Sequence, residues 1–178
     1  GPMLSIHLAF ASEQTRQGLS RIIRAAGLPL GEVHATGAGV IRAVKRRGGG
    51  LVLCGDKLID MTARQVFAAL GDEALVAVLQ REPSQAALSM GEPLRLMMPT
   101  SPRELADKVR ELLQKEKARQ RTRRQARTPE EHALILRAKR RLMVRLGVDE
   151  DEAHRMLQQA SMREGQRMAV TAKKVLEV

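Results

Sequence analysis

The sequence has few aromatic residues, a single cysteine and no long apolar run. Among 178 residues it contains two Phe, no Tyr and no Trp, so aromatic stacking platforms for bases are missing outside Phe10 and Phe67. Cys54 is alone, which excludes an intrachain disulfide and a cysteine metal cluster. No stretch approaches the roughly 18 apolar residues of a membrane span, and no signal-peptide pattern is present. These absences predict a cytoplasmic protein with an aliphatic core.

Catalytic and metal-binding patterns are missing as well. The four His residues are scattered, without metal-ligand spacing and without a Ser or Cys placed for a triad. The acidic residues around Asp149 lie at a predicted helix start, where capping and the helix dipole favour them. We therefore predict no cofactor, no metal site and no enzymatic activity.

Positive charge is what the sequence has in excess. The net charge is +11, and residues 115–147 alone hold twelve Lys or Arg against three Glu. A solvated helix face usually mixes both signs, whereas a concentrated basic zone indicates a polyanionic partner.

The first part of the chain alternates short apolar runs with stretches of helical period, which is typical of a parallel sheet flanked by helices. Gly1 and Pro2 resemble the remnant of a cleaved tag, so we count this α/β domain from Met3. Five strands are predicted, at residues 6–10, 32–35, 51–54, 75–79 and 94–98. Helices are predicted at 15–26, 38–47 and 62–70, with a weaker pattern at 84–90.

Three predicted helix N-caps, and the start of a last helix, occur from Ser101 onward. Ser101 begins a helix whose apolar stripe ends near Gln114, so residues 114–127 are predicted to project as a solvated helix or linker. Thr128 and Asp149 are the N-caps of two further helices, and a last helix is predicted from about Gln166. Short helices with one apolar face each must bury those faces together, which predicts an all-α three-helix module.

A motif runs through these last fifty residues. It comprises Ala138-Lys139-Arg140-Arg141-Leu142-Met143, Leu146-Gly147-Val148, Asp151-Glu152-Ala153, Leu157 and Ser161-Met162. The motif resembles the ANTAR family of RNA-binding antiterminators, whose members often follow a response-regulator receiver domain. The sequence departs from the family at Arg140, where glycine is usual. This organisation predicts a flavodoxin-like pseudo-receiver domain at 3–113, a basic helical linker at 114–127 and the ANTAR module at 128–178.

The resemblance implies that the module binds hairpin loops, typically a pair, in nascent mRNA so that a terminator hairpin cannot form. Such binding needs neutralised phosphates and contacts to splayed loop bases. In the first helix of the module, Ile135, Leu142 and Leu146 are expected on one face, opposite Arg137, Arg140 and Arg141. The predicted RNA contacts are Arg137, Ala138, Lys139, Arg140, Arg141, Arg145, Ser161, Arg163, Gln166 and Arg167. A homodimer and a ligand-sensing regulatory protein are the other partners that the resemblance suggests.

The first 113 residues resemble a receiver that has lost its phosphorylation chemistry. Phe10 and Ala11 occupy the place of the acidic magnesium ligands, Gly55 that of the acceptor aspartate, and Met98 that of the lysine before a proline. Asp56 is one position away, and a one-residue shift at a strand end directs its side chain elsewhere. A phosphoryl group needs cationic partners, so the sequence predicts no aspartyl phosphorylation.

Two other functions remain open from the sequence. The basic linker and helices would also suit a DNA-binding transcriptional regulator. The receiver-like domain and the basic linker would equally suit an adaptor that docks onto an acidic protein and binds no nucleic acid.

Overall fold

A computed structural model describes residues 4–83, 92–123 and 127–178. Five strands form one sheet: β1 Ile6–Ala9, β2 Leu30–His34, β3 Leu51–Cys54, β4 Leu75–Gln80 and β5 Leu94–Met97. They are parallel and lie in the order β2-β1-β3-β4-β5. The helices of this part are α1 Glu13–Ala25, α2 Gly37–Arg47, α3 Ala63–Leu70 and α4 Pro102–Arg123. The predicted α/β receiver-like fold is confirmed.

Strand alternation divides the core into two layers. Successive side chains of a strand point to opposite faces, so Leu51 and Leu53 pack under α1 and α4, while Val52 and Cys54 pack under α2 and α3. Both faces of a parallel sheet are covered in this way, and the central strand β3 is accordingly apolar throughout.

The predicted strands are all present, with shifted ends. β2 begins two residues before the predicted start, because Leu30 already pairs with Ile6. Phe10 and Met98, predicted as terminal strand residues, lie just beyond β1 and β5. The weak helical pattern at 84–90 lies outside the described residues.

The last part of the chain consists of three helices, α5 Pro129–Leu146, α6 Glu150–Glu164 and α7 Met168–Leu176. The predicted N-caps are confirmed, since Thr128 and Asp149 each accept a hydrogen bond from the backbone N–H three residues later. The core of this bundle contains the buried side chains Ile135, Ala138, Leu142, Ala153, Leu157, Ala172 and Val175. Leu146, predicted to face inward, is 54% exposed at the last residue of α5, next to the C-cap Gly147.

The prediction that residues 114–127 project from the domain is wrong for the described part of that segment. Glu116 is fully buried and Arg119 is 5% exposed, and they form a bidentate ion pair with N···O distances of 2.8 and 2.6 Å. Gln120 also donates to Glu116, at 2.9 Å. Polar side chains can be buried when they satisfy one another, so α4 continues into the interface between the sheet domain and the bundle. None of the helices in the described ranges has the length and apolar character needed to cross a membrane.

Candidate nucleic-acid interface and degenerate acceptor site

The outward face of α5 is cationic. Arg137 and Arg140 are exposed, and neither forms an ion pair with another described residue. Val144 lies between them on the helix surface and is 85% exposed. Positions three, four and seven residues apart share one helix face, and Ile135 and Leu142 bury the opposite one. The sequence therefore places uncompensated guanidinium groups on the side of α5 that faces away from the bundle.

Two further arginines of α5 lie at the edge of this face. Arg141 and Arg145 both donate to the main-chain oxygen of Val178. Lys139 is mostly covered and pairs with Glu150 at 3.0 Å. These three cations are bound in the described state, so contact with a polyanion would exchange existing hydrogen bonds for new ones.

Two predicted RNA contacts are buried instead. Ala138 is fully buried in the bundle core, because it lies on the same helical stripe as Ile135 and Leu142. Ser161 is 4% exposed, and its hydroxyl donates to Leu157 O and contacts the Thr171 hydroxyl at 2.9 Å. In this conformation both residues stabilise the bundle and neither can touch a ligand.

Three more predicted contacts lie on the side of the bundle that faces the sheet domain. Arg163 donates to the main-chain oxygen of Glu92 at 3.2 Å, and its side chain is 12% exposed. Gln166 lines a cavity of about 90 Å³ that Asp72 and Arg119 also line, and its Oε1 is buried without a hydrogen-bond partner among the described residues. Arg167 pairs with Glu131 at 2.6 Å.

The Glu131–Arg167 pair also fixes the start of α5. Glu131 accepts from the Thr128 N–H while the Thr128 hydroxyl accepts from the Glu131 N–H, which is a reciprocal capping box. The Thr128 N–H and the Arg167 guanidinium hold the pKa of Glu131 below its usual range. Arg167 is thereby tied to the N-terminus of α5.

Phe10, Ala11 and Gly55, predicted from the sequence to stand in place of a receiver's phosphorylation site, lie close to other protein groups. Phe10 is buried, and a Cβ on Gly55 would lie 3.1 Å from its ring. Arg16 donates to the main-chain oxygens of Phe10 and Ala11 at 2.7 and 2.9 Å. The half-buried Met98 packs against the apolar core.

Asp56 is bound in a way that the sequence did not indicate. Arg95 on β5 donates to Asp56 at 2.8 Å, and its other terminal nitrogen lies 3.4 Å from Glu92. Glu92 also pairs with Arg64, at 3.3 Å. Burial alone would lower the pKa of Arg95, but the ion pairs with Asp56 and Glu92 outweigh it and raise that pKa. The strand pattern Leu94-Arg95-Leu96 places Arg95 on the opposite face from its neighbours, but no sequence signal shows which carboxylates meet it there.

Cys54 is not an alternative reactive group. Burial raises the pKa of its thiol to about 12, with Asp56 adding to the effect, so the thiolate that nucleophilic chemistry needs is scarce at neutral pH. Within the described ranges, no group of His, Cys, Asp and Glu is arranged to hold a metal ion.

The geometry defines a two-part protein, a five-stranded α/β domain joined to a helical module with a cationic face. Residues 119–176 match the ANTAR domain family. The segment that matches this family follows a domain with the receiver-like fold. The match begins at Arg119 inside α4, nine residues before the N-cap of α5.

Solved structures share the fold at low sequence identity. The signal receiver domain of the response regulator NarL from Mycobacterium tuberculosis is 15% identical, with a TM-score of 0.57 over 64% of this chain and 98% of that one. A signal receiver domain from an HD domain-containing protein of Pseudomonas fluorescens is 19% identical, with a TM-score of 0.58 over 68% and 94%. The response regulator StyR is 14% identical, with a TM-score of 0.56 over 98% of both chains. Curated protein sequences give no match.

Proposed function

We propose that this protein is a transcription antiterminator that binds hairpin loops in nascent mRNA leaders and so prevents a terminator hairpin from forming. The observation that carries the proposal is the exposed, unpaired arginine face of α5 within an ANTAR domain. Arginine neutralises phosphates and also stacks on unpaired bases. Stacking of this kind replaces the aromatic rings that the ANTAR domain lacks.

Binding to a labelled RNA with two hairpins, compared with duplex DNA of equal charge, tests the proposal. We expect tighter binding to the hairpins and a dependence on loop sequence. Preference for the duplex would favour a DNA-binding regulator, and loss of all nucleic-acid binding at physiological salt would favour a protein-docking adaptor. Either outcome would contradict antitermination.

A matched pair of variants locates the interface. Arg137→Gln with Arg140→Gln removes two charges from the exposed α5 face without touching the core. Lys173→Gln with Lys174→Gln removes two charges from exposed positions of α7 in the same domain. We expect the first variant to weaken hairpin binding at least about tenfold and the second to weaken it about twofold or less, since phosphate contacts add up locally. Equal effects would show that only net charge matters.

We further propose that regulation does not use aspartyl phosphorylation. Three observations support this: Phe10 crowds the Cβ position of Gly55, Arg16 donates to the main-chain oxygens of Phe10 and Ala11, and Arg95 pairs with Asp56. Incubation with acetyl phosphate and magnesium followed by intact-mass spectrometry should give no adduct. An acid-labile adduct on Asp56 would overturn this part of the proposal.

In place of phosphorylation, we propose that a partner or ligand-sensing protein docks on the receiver-like domain, and that the RNA-bound form is a homodimer. A dimer has two ANTAR domains, so each domain can bind one of the two hairpins in the RNA. Sedimentation of the protein with a two-hairpin RNA should give two chains per RNA, and with a single-hairpin RNA one chain. A stoichiometry of one chain on both RNAs would contradict the dimer.

A further inference from the structure

The degenerate acceptor site and the ANTAR domain are linked by a continuous set of polar contacts. From Asp56 the contacts pass to Arg95 at 2.8 Å, from Arg95 to the Glu92 carboxylate at 3.4 Å, and from the Glu92 main-chain oxygen to Arg163 at 3.2 Å. The first three residues belong to the receiver-like domain, and Arg163 lies near the end of α6.

We propose that these four residues form an interdomain tether, which holds α6 against the receiver-like domain and keeps predicted RNA contacts turned away from solvent. We call the contacts Asp56, Arg95, Glu92 and Arg163 the tether.

Burial supports the assignment. The side chains of Arg95 and Glu92 are each 9% exposed and that of Arg163 is 12% exposed, whereas Asp56 is 54% exposed. Charge-assisted hydrogen bonds in covered positions are stronger than exposed ones. The interior of the tether thus supplies the holding energy, and Asp56 is an end that a docking partner can reach.

Packing around the tether agrees with a closed arrangement. α6 contacts β4 directly. A Cβ on Gly165 would meet Lys115 of α4 at 3.3 Å, so the end of α6 lies close to α4 as well. Arg163, Ser161 and Gln166, three of the predicted RNA contacts, lie on this covered side of the bundle.

The tether is also incompletely satisfied. The buried Nε of Arg95 has no hydrogen-bond partner among the described residues. A buried polar network that contains a donor without a hydrogen-bond partner is less stable than a fully hydrogen-bonded one. The lower stability would make it easier for the two domains to separate.

The test uses a variant inside the receiver-like domain, so that no proposed RNA contact is altered. Arg95→Met removes the guanidinium between Asp56 and Glu92 but keeps an apolar stem of similar length. Arg21→Met is the matched control, because Arg21 is exposed on α1 and makes no hydrogen bond to a described residue. Arg163→Met removes the hydrogen bond to the Glu92 main-chain oxygen from the ANTAR domain. It replaces Arg95→Met in the test if Arg95→Met does not fold.

The first measurement does not involve RNA. Spin labels on Ile59→Cys and Val144→Cys, which are 69% and 85% exposed, report the distance between the domains. Cys54 is buried and will not compete for the label. We expect one narrow distance distribution in the tethered protein and in Arg21→Met, and a broad or second population in Arg95→Met and Arg163→Met. Unchanged distributions in both tether variants would overturn the proposal.

The second measurement rests on the proposed function. Unlabelled Arg95→Met should bind the hairpin more tightly than the unaltered protein. The largest expected gain is the reciprocal of the fraction of unaltered molecules that are open, which is about tenfold if one molecule in ten is open. If the hairpin binds the unaltered protein but Arg95→Met binds it no better, the sequestering role is wrong. If the distances respond while no variant binds RNA, the tether is supported and the proposed function fails.

Discussion

The buried Glu116–Arg119 pair gives the sharpest test of how α4 is held. Arg119→Met would remove a bidentate partner and leave a fully buried carboxylate with Gln120 as a remaining donor. Breaking a buried pair by removing one partner costs about 3–5 kcal/mol. Because Gln120 still donates, we expect the lower end of this range, about 3 kcal/mol of unfolding free energy.

The double variant Glu116→Leu with Arg119→Met should behave in the opposite way. It replaces both charges with apolar groups of similar volume, and such replacements are often neutral or stabilising. We expect it to unfold within about 1 kcal/mol of the unaltered protein, well above the Arg119→Met single variant. The two single variants and the double variant form a cycle that isolates the pair energy.

Urea unfolding followed by far-UV circular dichroism is the suitable assay, because the chain has no Trp or Tyr for fluorescence. The slope of the unfolding free energy against urea concentration should be the same for all variants, because each should expose the same surface on unfolding. A cost below about 1 kcal/mol for Arg119→Met would indicate a solvated pair. A double variant no more stable than Arg119→Met would refute the reasoning about uncompensated charge.

Three further predictions concern local features. Burial lowers the pKa of His7, whose Nδ1 accepts from the Glu32 N–H, so the folded protein favours neutral His7. The stability that comes from neutral His7 is complete above pH 6.5, the pKa of His7 in the unfolded chain, and it is lost as the pH falls through the lower pKa of the folded state. His7→Gln should therefore flatten this part of the curve of unfolding free energy against pH, measured by urea unfolding. Thr128→Ala removes the cap of α5 and should cost about 1 kcal/mol in a thermal melt, whereas Thr15→Ala, which removes no capping side chain, should cost less. Cys54 should react with a thiol reagent at pH 8 only after denaturation, and rapid reaction of the native protein would contradict its burial and its pKa of about 12.

Apolar period and helix caps were sufficient to predict the architecture. Runs such as Leu51-Val52-Leu53-Cys54 are buried on both faces, as the sequence pattern required, and the caps at Thr128 and Asp149 are local effects of three residues. The burial of Ala138 was also predictable, because it is three residues from Ile135 and four from Leu142. The motif resemblance predicts Ala138 as an RNA contact, but its place on the apolar helical stripe is the better guide.

The polar part of the structure could not be predicted in the same way. Glu116 and Arg119 are buried because they meet each other and Gln120 in an interface, and hydropathy counts each of them as a surface residue. Arg95 meets Asp56 across 39 positions of sequence, which only the pairing of β4 with β5 and of β3 with β4 brings close. Long-range charge pairing depends on topology, and one sequence carries no signal for it.

The salt dependence of RNA binding distinguishes a closed from an open ANTAR domain. If the proposed function holds, α5 supplies the cations for an RNA interface in the closed arrangement, namely Arg137, Arg140, Arg141 and Arg145. Four phosphate contacts on single-stranded loops give a slope of log affinity against log salt of about −2.8. If opening adds Arg163 and Arg167, the slope should steepen to about −4.2 in Arg95→Met. Arg137→Gln with Arg140→Gln should reduce the magnitude of either slope by about 1.4. Equal slopes in the unaltered protein and Arg95→Met would mean that opening adds no phosphate contact from Arg163 or Arg167.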